Sequence, residues 1–266
     1  MRAKTSPRIS RIAFRIVAIC ALATLLGSLR TTNVVDIGAA VTVLNPQAGT
    51  AARTAETIRY QDANLELVAM YRVTDGRLEA TALPEYHRIW ELAEETLPLE
   101  ALDQIHQLNI VTDGPARTLA MVHRSTTERD SWILSIDPSE SRDVVQRTLV
   151  HELAHLYTLG ETDLTAQRTN RAGELIEIGC ARSDSLLADY ARHFWSGVAE
   201  PARYAQSQYV TQYAADSVHE DLAETFMEWV YADKADSPTI AAKYEWFDAQ
   251  AAFVAARAEI QANLLA

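Results

Sequence analysis

The stretch that most constrains this chain is His151-Glu152-Leu153-Ala154-His155, an H-E-x-x-H pattern inside Arg142–Gly160. The segment predicts a helix. Ser141 suits the N-cap, Asp143 the electropositive first turn and Gly160 the C′ position. Val145, Leu149, Leu153 and Leu156 recur at helical spacing and predict one buried stripe. Residues four apart on a helix share a face, so His151 and His155 point the same way and can hold one Zn²⁺ between them. Glu152 then lies close enough to act on a water bound to that ion. Two histidines one turn apart also occur on helices with no metal. The decision therefore rests on whether the chain supplies a third ligand.

A catalytic zinc site takes three protein ligands and leaves a position open for water. The strongest source is Val218–Val230, where Glu220 and Glu224 are four apart on one helical face and Ala223 between them is small enough for a close helix–helix approach. A ligating histidine commonly gives its other ring nitrogen to a carboxylate. This pair can fill both places, Glu220 on the metal and Glu224 on His151. Glu224 with Glu228 repeats the spacing one turn later, and Glu174 lies 19 residues after His155; both stay open as alternatives. His219, beside Glu220, is a weaker candidate, and His87, His106, His123 and His193 read as surface or satisfied core residues. The metzincin pattern is disfavoured, because Thr158 and Glu161 stand where it needs Gly and His.

With these residues in place the chain resembles the gluzincin metallopeptidases, in which H-E-x-x-H is followed downstream by a ligand Glu with an acid four residues on. It is most similar to the compact zinc-peptidase domains related to the anthrax lethal factor catalytic domain. There the glutamate helix reads E-x-x-A-E and a tyrosine precedes the ligand by seven residues, as Tyr213 precedes Glu220 here. The likeness spans roughly residues 130–231. It implies a zincin-like fold with one catalytic Zn²⁺ on His151, His155 and Glu220. It further implies Glu152 as general base, Tyr213 as donor to the oxyanion, and Trp132–Ile136 as an edge strand along which an extended substrate lies.

The rest of the chain predicts an α+β fold: a small N-terminal sheet with helices, a mainly helical C-terminal half, and the metal between them. Leu65–Val73 and Arg77–Thr81 form a hairpin about Asp75-Gly76. Pro84 opens a helix to Thr96, and Ile105–Thr112, Leu119–His123 and Trp132–Ile136 are strands. Beyond Gly160 only helices and loops are expected, with helices at Arg182–Trp195, Val218–Ala232 and Ile240–Leu265.

Charge separates the N-terminus from the body. Of 24 basic residues six lie in residues 1–30, which hold no acid, so the other 18 face all 36 acidic residues. An acidic body argues against nucleic-acid binding. Those basic residues flank the apolar run Ile16–Leu29, which reads as a signal peptide or an N-terminal membrane anchor and places the catalytic part outside the cytoplasm, secreted or held at the outer face of the membrane. Residues 31–58 read as a linker or disordered lead-in, and 59–266 as the zinc metallopeptidase domain. Cys180 reads as a small buried residue rather than a nucleophile. The expected activity is hydrolysis of peptide bonds in a peptide or protein substrate by a monomeric chain. The alternatives are a non-catalytic zinc-binding domain of the same fold and a zinc amidase acting on cell-wall peptides.

Overall fold

The computed structural model describes residues 65–112, 119–125, 128, 130–165, 175–176, 179–232 and 234–265. The expectations for residues 1–30 and 31–58, and for Glu174, lie outside these. The fold is α+β, with a five-stranded mixed sheet and several helices.

Strands β1 (Glu66–Thr74) and β2 (Arg77–Leu78) form the expected hairpin. Asp75 and Gly76 both take positive φ, 50° and 67°, the pair of left-handed residues that a two-residue turn matching strand twist requires. Helix α1 (Pro84–Glu94) starts at its proline and places Trp90 inward, where its Nε1 donates to the Gly76 carbonyl at 3.1 Å. A one-turn helix α2 (Leu99–Leu102) leads to β3 (Ile105–Thr112). Strands β4 (Ala120–Arg124) and β5 (Trp132–Ile136) complete the sheet in the order β2-β1-β3-β5-β4.

One expectation fails here. Trp132–Ile136 is not an edge strand: β5 pairs in parallel with β3 and antiparallel with β4, and all five of its residues are buried. A strand buried on both faces reads as a near-continuous apolar run, which W-I-L-S-I nearly is. The edge is β4, whose burial is only partial beyond Ala120.

Helix α3 (Arg142–Thr158) carries the H-E-x-x-H residues. Its expected stripe is buried, but so are His151, Glu152 and His155 on other sides, so the helix runs through the interior rather than along a surface. Ser141 sits at the N-cap in extended conformation without a side-chain hydrogen bond. Gly160 follows the C-cap Leu159 but does not adopt positive φ, so the left-handed cap expected there is absent.

After α3 the chain departs again from the expectation of helices and loops alone. Short strands β6 (Leu164–Thr165), β7 (Leu175–Ile176) and β8 (Gly179–Ala181) form a second, antiparallel sheet in the order β6-β8-β7. Segments of two or three residues carry too little periodicity to read in advance. Helix α4 (Leu186–Phe194) follows, then a 3₁₀ turn at Tyr213–Ala215 and α5 (Val218–Tyr231). The long helix expected over Ile240–Leu265 is two: α6 (Pro238–Asp248) and α7 (Ala251–Asn263), broken at Ala249-Gln250. The break lets Phe247 pack edge to face against both Trp246 and Phe253, which are tilted against each other.

Helices α3 and α5 pack directly on each other, and Ala154 and Ala223 are wholly buried as the close approach demands. Leu108, Ile110, Leu134 and Ile136 from the sheet join Leu149, Leu153, Leu222 and Phe226 in one hydrophobic core. Among the described residues no helix is long and apolar enough to cross a membrane.

Candidate metal centre

Three side chains meet where α3 crosses α5. His151 Nε2 and His155 Nε2 stand 3.1 Å apart. Glu220 Oε2 is 3.2 Å from the first and 3.6 Å from the second. All three side chains are at least nine-tenths buried. For tetrahedral coordination with bonds of about 2.0–2.1 Å, ligand atoms stand about 3.3–3.4 Å apart. The observed triangle brackets that spacing, so His151, His155 and Glu220 form a group that can hold a metal ion. Glu220 Oε2 is buried and makes no well-aligned hydrogen bond, a costly position for a carboxylate oxygen unless a cation completes it.

The sequence arranges this locally. Ser217 caps α5, its hydroxyl accepting from the Glu220 N–H at 3.3 Å. That sets Glu220 in the first turn, facing α3, and Glu224 one turn further along the same face. Glu224 Oε1 lies 2.8 Å from His151 Nδ1, the nitrogen turned away from the triangle, though off the ideal hydrogen-bond line. The two carboxylates thus stand where their four-residue spacing predicts, Glu220 at the triangle and Glu224 behind His151. Glu228 is spent elsewhere, in an ion pair with Arg147 at 3.3 Å on the outer side of the helices. His219 is not part of the triangle. Its Nδ1 is 2.9 Å from Ser217 Oγ, its Nε2 is 3.5 Å from the outer oxygen of Glu220, and burial pushes its pKa down to about 4.

The electrostatics favour positive charge at the triangle's centre. Burial by itself would depress His151, but the carboxylates of Glu220 and Glu224 outweigh it and hold the imidazole well above its ordinary range. Burial would raise Glu220; the charges of His155 and His151 overcome it and keep the carboxyl well below its ordinary range. A proton on the His151 imidazole thus takes the electrostatic role of a cation, and a metal binding there displaces it. Substituting Glu224 by Ala should weaken metal binding by about 10–100-fold while leaving its stoichiometry at one, as read by competitive titration with a chromophoric chelator. Unchanged affinity would deny Glu224 its orienting role.

Glu152 sits beside the triangle. Burial lifts its carboxyl above the ordinary range, against the pull of His151 and His155. Its Oε2 accepts the backbone N–H of Val122 at 3.0 Å, so the edge strand itself holds this carboxylate. Tyr213 is brought to the same place, its ring 6.1 Å from that of His151 and inclined by 28°, packed with Leu119 and Val144.

The Val122 amide escaped the sequence reading, because a backbone donor leaves no mark in the side-chain pattern. So did Asp221. It is fully buried, and Lys243 Nζ reaches its two oxygens at 2.7 and 2.6 Å. Trp195 Nε1, Tyr190 Oη and Thr225 Oγ1 also donate to it, at 2.8, 3.1 and 3.2 Å. The readable signal was Lys243, which falls in the apolar stripe of α6 between Ile240 and Trp246–Phe247. A lysine in such a stripe needs a buried partner.

On β4, burial depresses His123 to about 4. Between that value and about 6.5, the unfolded chain binds a proton that the folded chain does not. This contribution to stability is complete above about pH 6.5 and lost as pH falls toward 4. His123→Leu should therefore flatten the acid limb of a denaturation series by about 2 kcal/mol across that window. An unchanged slope would contradict the assignment.

No protein-family model, curated protein or solved structure matches the chain.

Proposed function

We propose that the chain is a zinc-dependent metallopeptidase of zincin-like fold, with His151, His155 and Glu220 as zinc ligands and Glu152 as general base. The observation that carries this reading is the His151–His155–Glu220 triangle with a burial-raised carboxylate, Glu152, alongside it. Two imidazoles and one carboxylate are a donor set of catalytic zinc sites. Bound there, zinc would supply Lewis acidity toward water and the scissile carbonyl.

The chain's own residues do the rest. Glu224 holds His151 with its ring turned toward the centre. Glu152, lifted by burial, accepts a proton from the attacking water and returns it to the leaving amine. Tyr213 donates to the oxyanion that develops on the carbonyl. The substrate backbone pairs with β4, the edge strand nearest α3.

The test is cleavage of a mixed peptide library by the full chain. Cleavage should stop on chelation and return with stoichiometric zinc. One bound zinc per chain with no cleavage of any peptide would overturn the peptidase reading and leave a metal-binding domain without this chemistry.

A further inference from the structure

The Val122 N–H is spent on a side chain, although it belongs to the row of backbone groups on the open side of β4. In the β4–β5 ladder, Asp137 N donates to the Leu119 carbonyl and Ser125 N to the Ser131 carbonyl, with Val122 opposite Leu134. An antiparallel pair alternates, so Leu119, Met121, His123 and Ser125 turn their backbone groups to β5 while Ala120, Val122 and Arg124 turn theirs outward. The outward set is the one an added strand uses. Its central N–H is the one donated to Glu152 Oε2 at 3.0 Å.

We propose that the Val122 N–H is a latch on Glu152, which an extended peptide opens by pairing with β4. A substrate carbonyl taking that N–H removes the Glu152 carboxylate's backbone partner and frees the oxygen for proton transfer. Occupancy of the edge strand and availability of the base are then coupled through one hydrogen bond. The site acts on extended segments long enough to pair along Ala120–Arg124 and turns over very short peptides slowly, in kcat as well as in KM. This deepens the peptidase reading above and rests on it.

The substitution that isolates the latch is Val122→Pro. Proline is tolerated on an edge strand where its missing N–H points away from the ladder, as it does here. The measurement is hydrolysis by the zinc-loaded full chain of unstructured peptides of increasing length sharing one cleavage site. In the wild-type chain kcat should rise by roughly tenfold or more once the peptide spans the edge, the worth of a hydrogen bond to a charged group. In Val122→Pro, kcat should be the same at all lengths. Retained length dependence in Val122→Pro, or a wild-type kcat indifferent to length, overturns the latch.

A second measurement needs neither that variant nor turnover. In the metal-free protein the Val122 amide should exchange with solvent deuterium roughly ten- to a hundredfold more slowly in the wild-type chain than in Glu152→Ala. Equal rates overturn the latch even if the enzyme is active. A wild-type chain that cleaves no peptide overturns the peptidase reading instead, whatever the exchange rates.

Discussion

Replacing Glu152 by Gln should leave the metal bound and remove hydrolysis, lowering kcat by on the order of 10²–10⁴-fold. Gln is isosteric, and its amide oxygen can still accept the Val122 N–H that Glu152 accepts now. It lies outside the His151–His155–Glu220 triangle, so metal affinity should change little. What disappears is basicity. Burial raises the Glu152 carboxyl while His151 and His155 restrain it, and the upward shift makes it a stronger proton acceptor. An amide cannot take a proton. Metal content by atomic emission and kcat on a cleaved peptide are measured on the same preparation. Full activity with the metal retained would remove Glu152 from the chemistry; loss of both together would make it a support for the metal instead.

The second large effect concerns stability. Asp221→Asn should destabilise the fold by about 3–5 kcal/mol, because it strands a fully buried ammonium. Lys243 would keep neutral acceptors, the amide oxygen of the new Asn and the Gln208 carbonyl at 2.7 Å, and a face-on contact with Tyr209, but no opposite charge. Lys243→Met should cost less, about 2 kcal/mol, since Asp221 keeps Trp195, Tyr190 and Thr225 as donors. Burial raises Asp221 and depresses Lys243 even with the two in contact. The pair therefore adds little net stability, although each member depends on the other. Its structural effect is to tie α4, α6 and the loop before Tyr213 to the helix that presents Glu220. Chemical denaturation of the two variants gives the comparison. A milder loss in Asp221→Asn than in Lys243→Met would reverse the assignment of which charge is stranded.

Much of this architecture was legible because local signals agreed with the final packing. Asp75-Gly76 demanded a tight turn, Pro84 a helix start, and Ile105–Thr112 a strand, and each stands where its chemistry put it. His151, His155, Glu220 and Glu224 were legible for a different reason. Their spacing of four converts directly into a shared helix face, and small residues at Ala154 and Ala223 let the two faces meet.

What was not legible depended on partners distant in sequence. That Trp132–Ile136 would lie inside the sheet follows from its pairing with Ile105–Thr112, which no local pattern encodes. The split of the last helix at Ala249-Gln250 has no proline or glycine to announce it; aromatic packing of Trp246, Phe247 and Phe253 overrides helix propensity there. The hold of Val122 on Glu152 is a backbone contact across 30 positions, and Asp221 met Lys243 across 22. Tyr213 entered by resemblance alone, and its placement beside His151 is a property of the folded chain.

The most direct measurement is zinc titration into the metal-free protein by calorimetry, wild type against Glu220→Ala. One high-affinity zinc per chain is predicted for the wild type, with the loss of a charged buried ligand weakening binding by on the order of 100-fold or more in Glu220→Ala. Undiminished affinity in Glu220→Ala, or a wild-type chain that takes up no zinc, would contradict a three-ligand centre built from His151, His155 and Glu220.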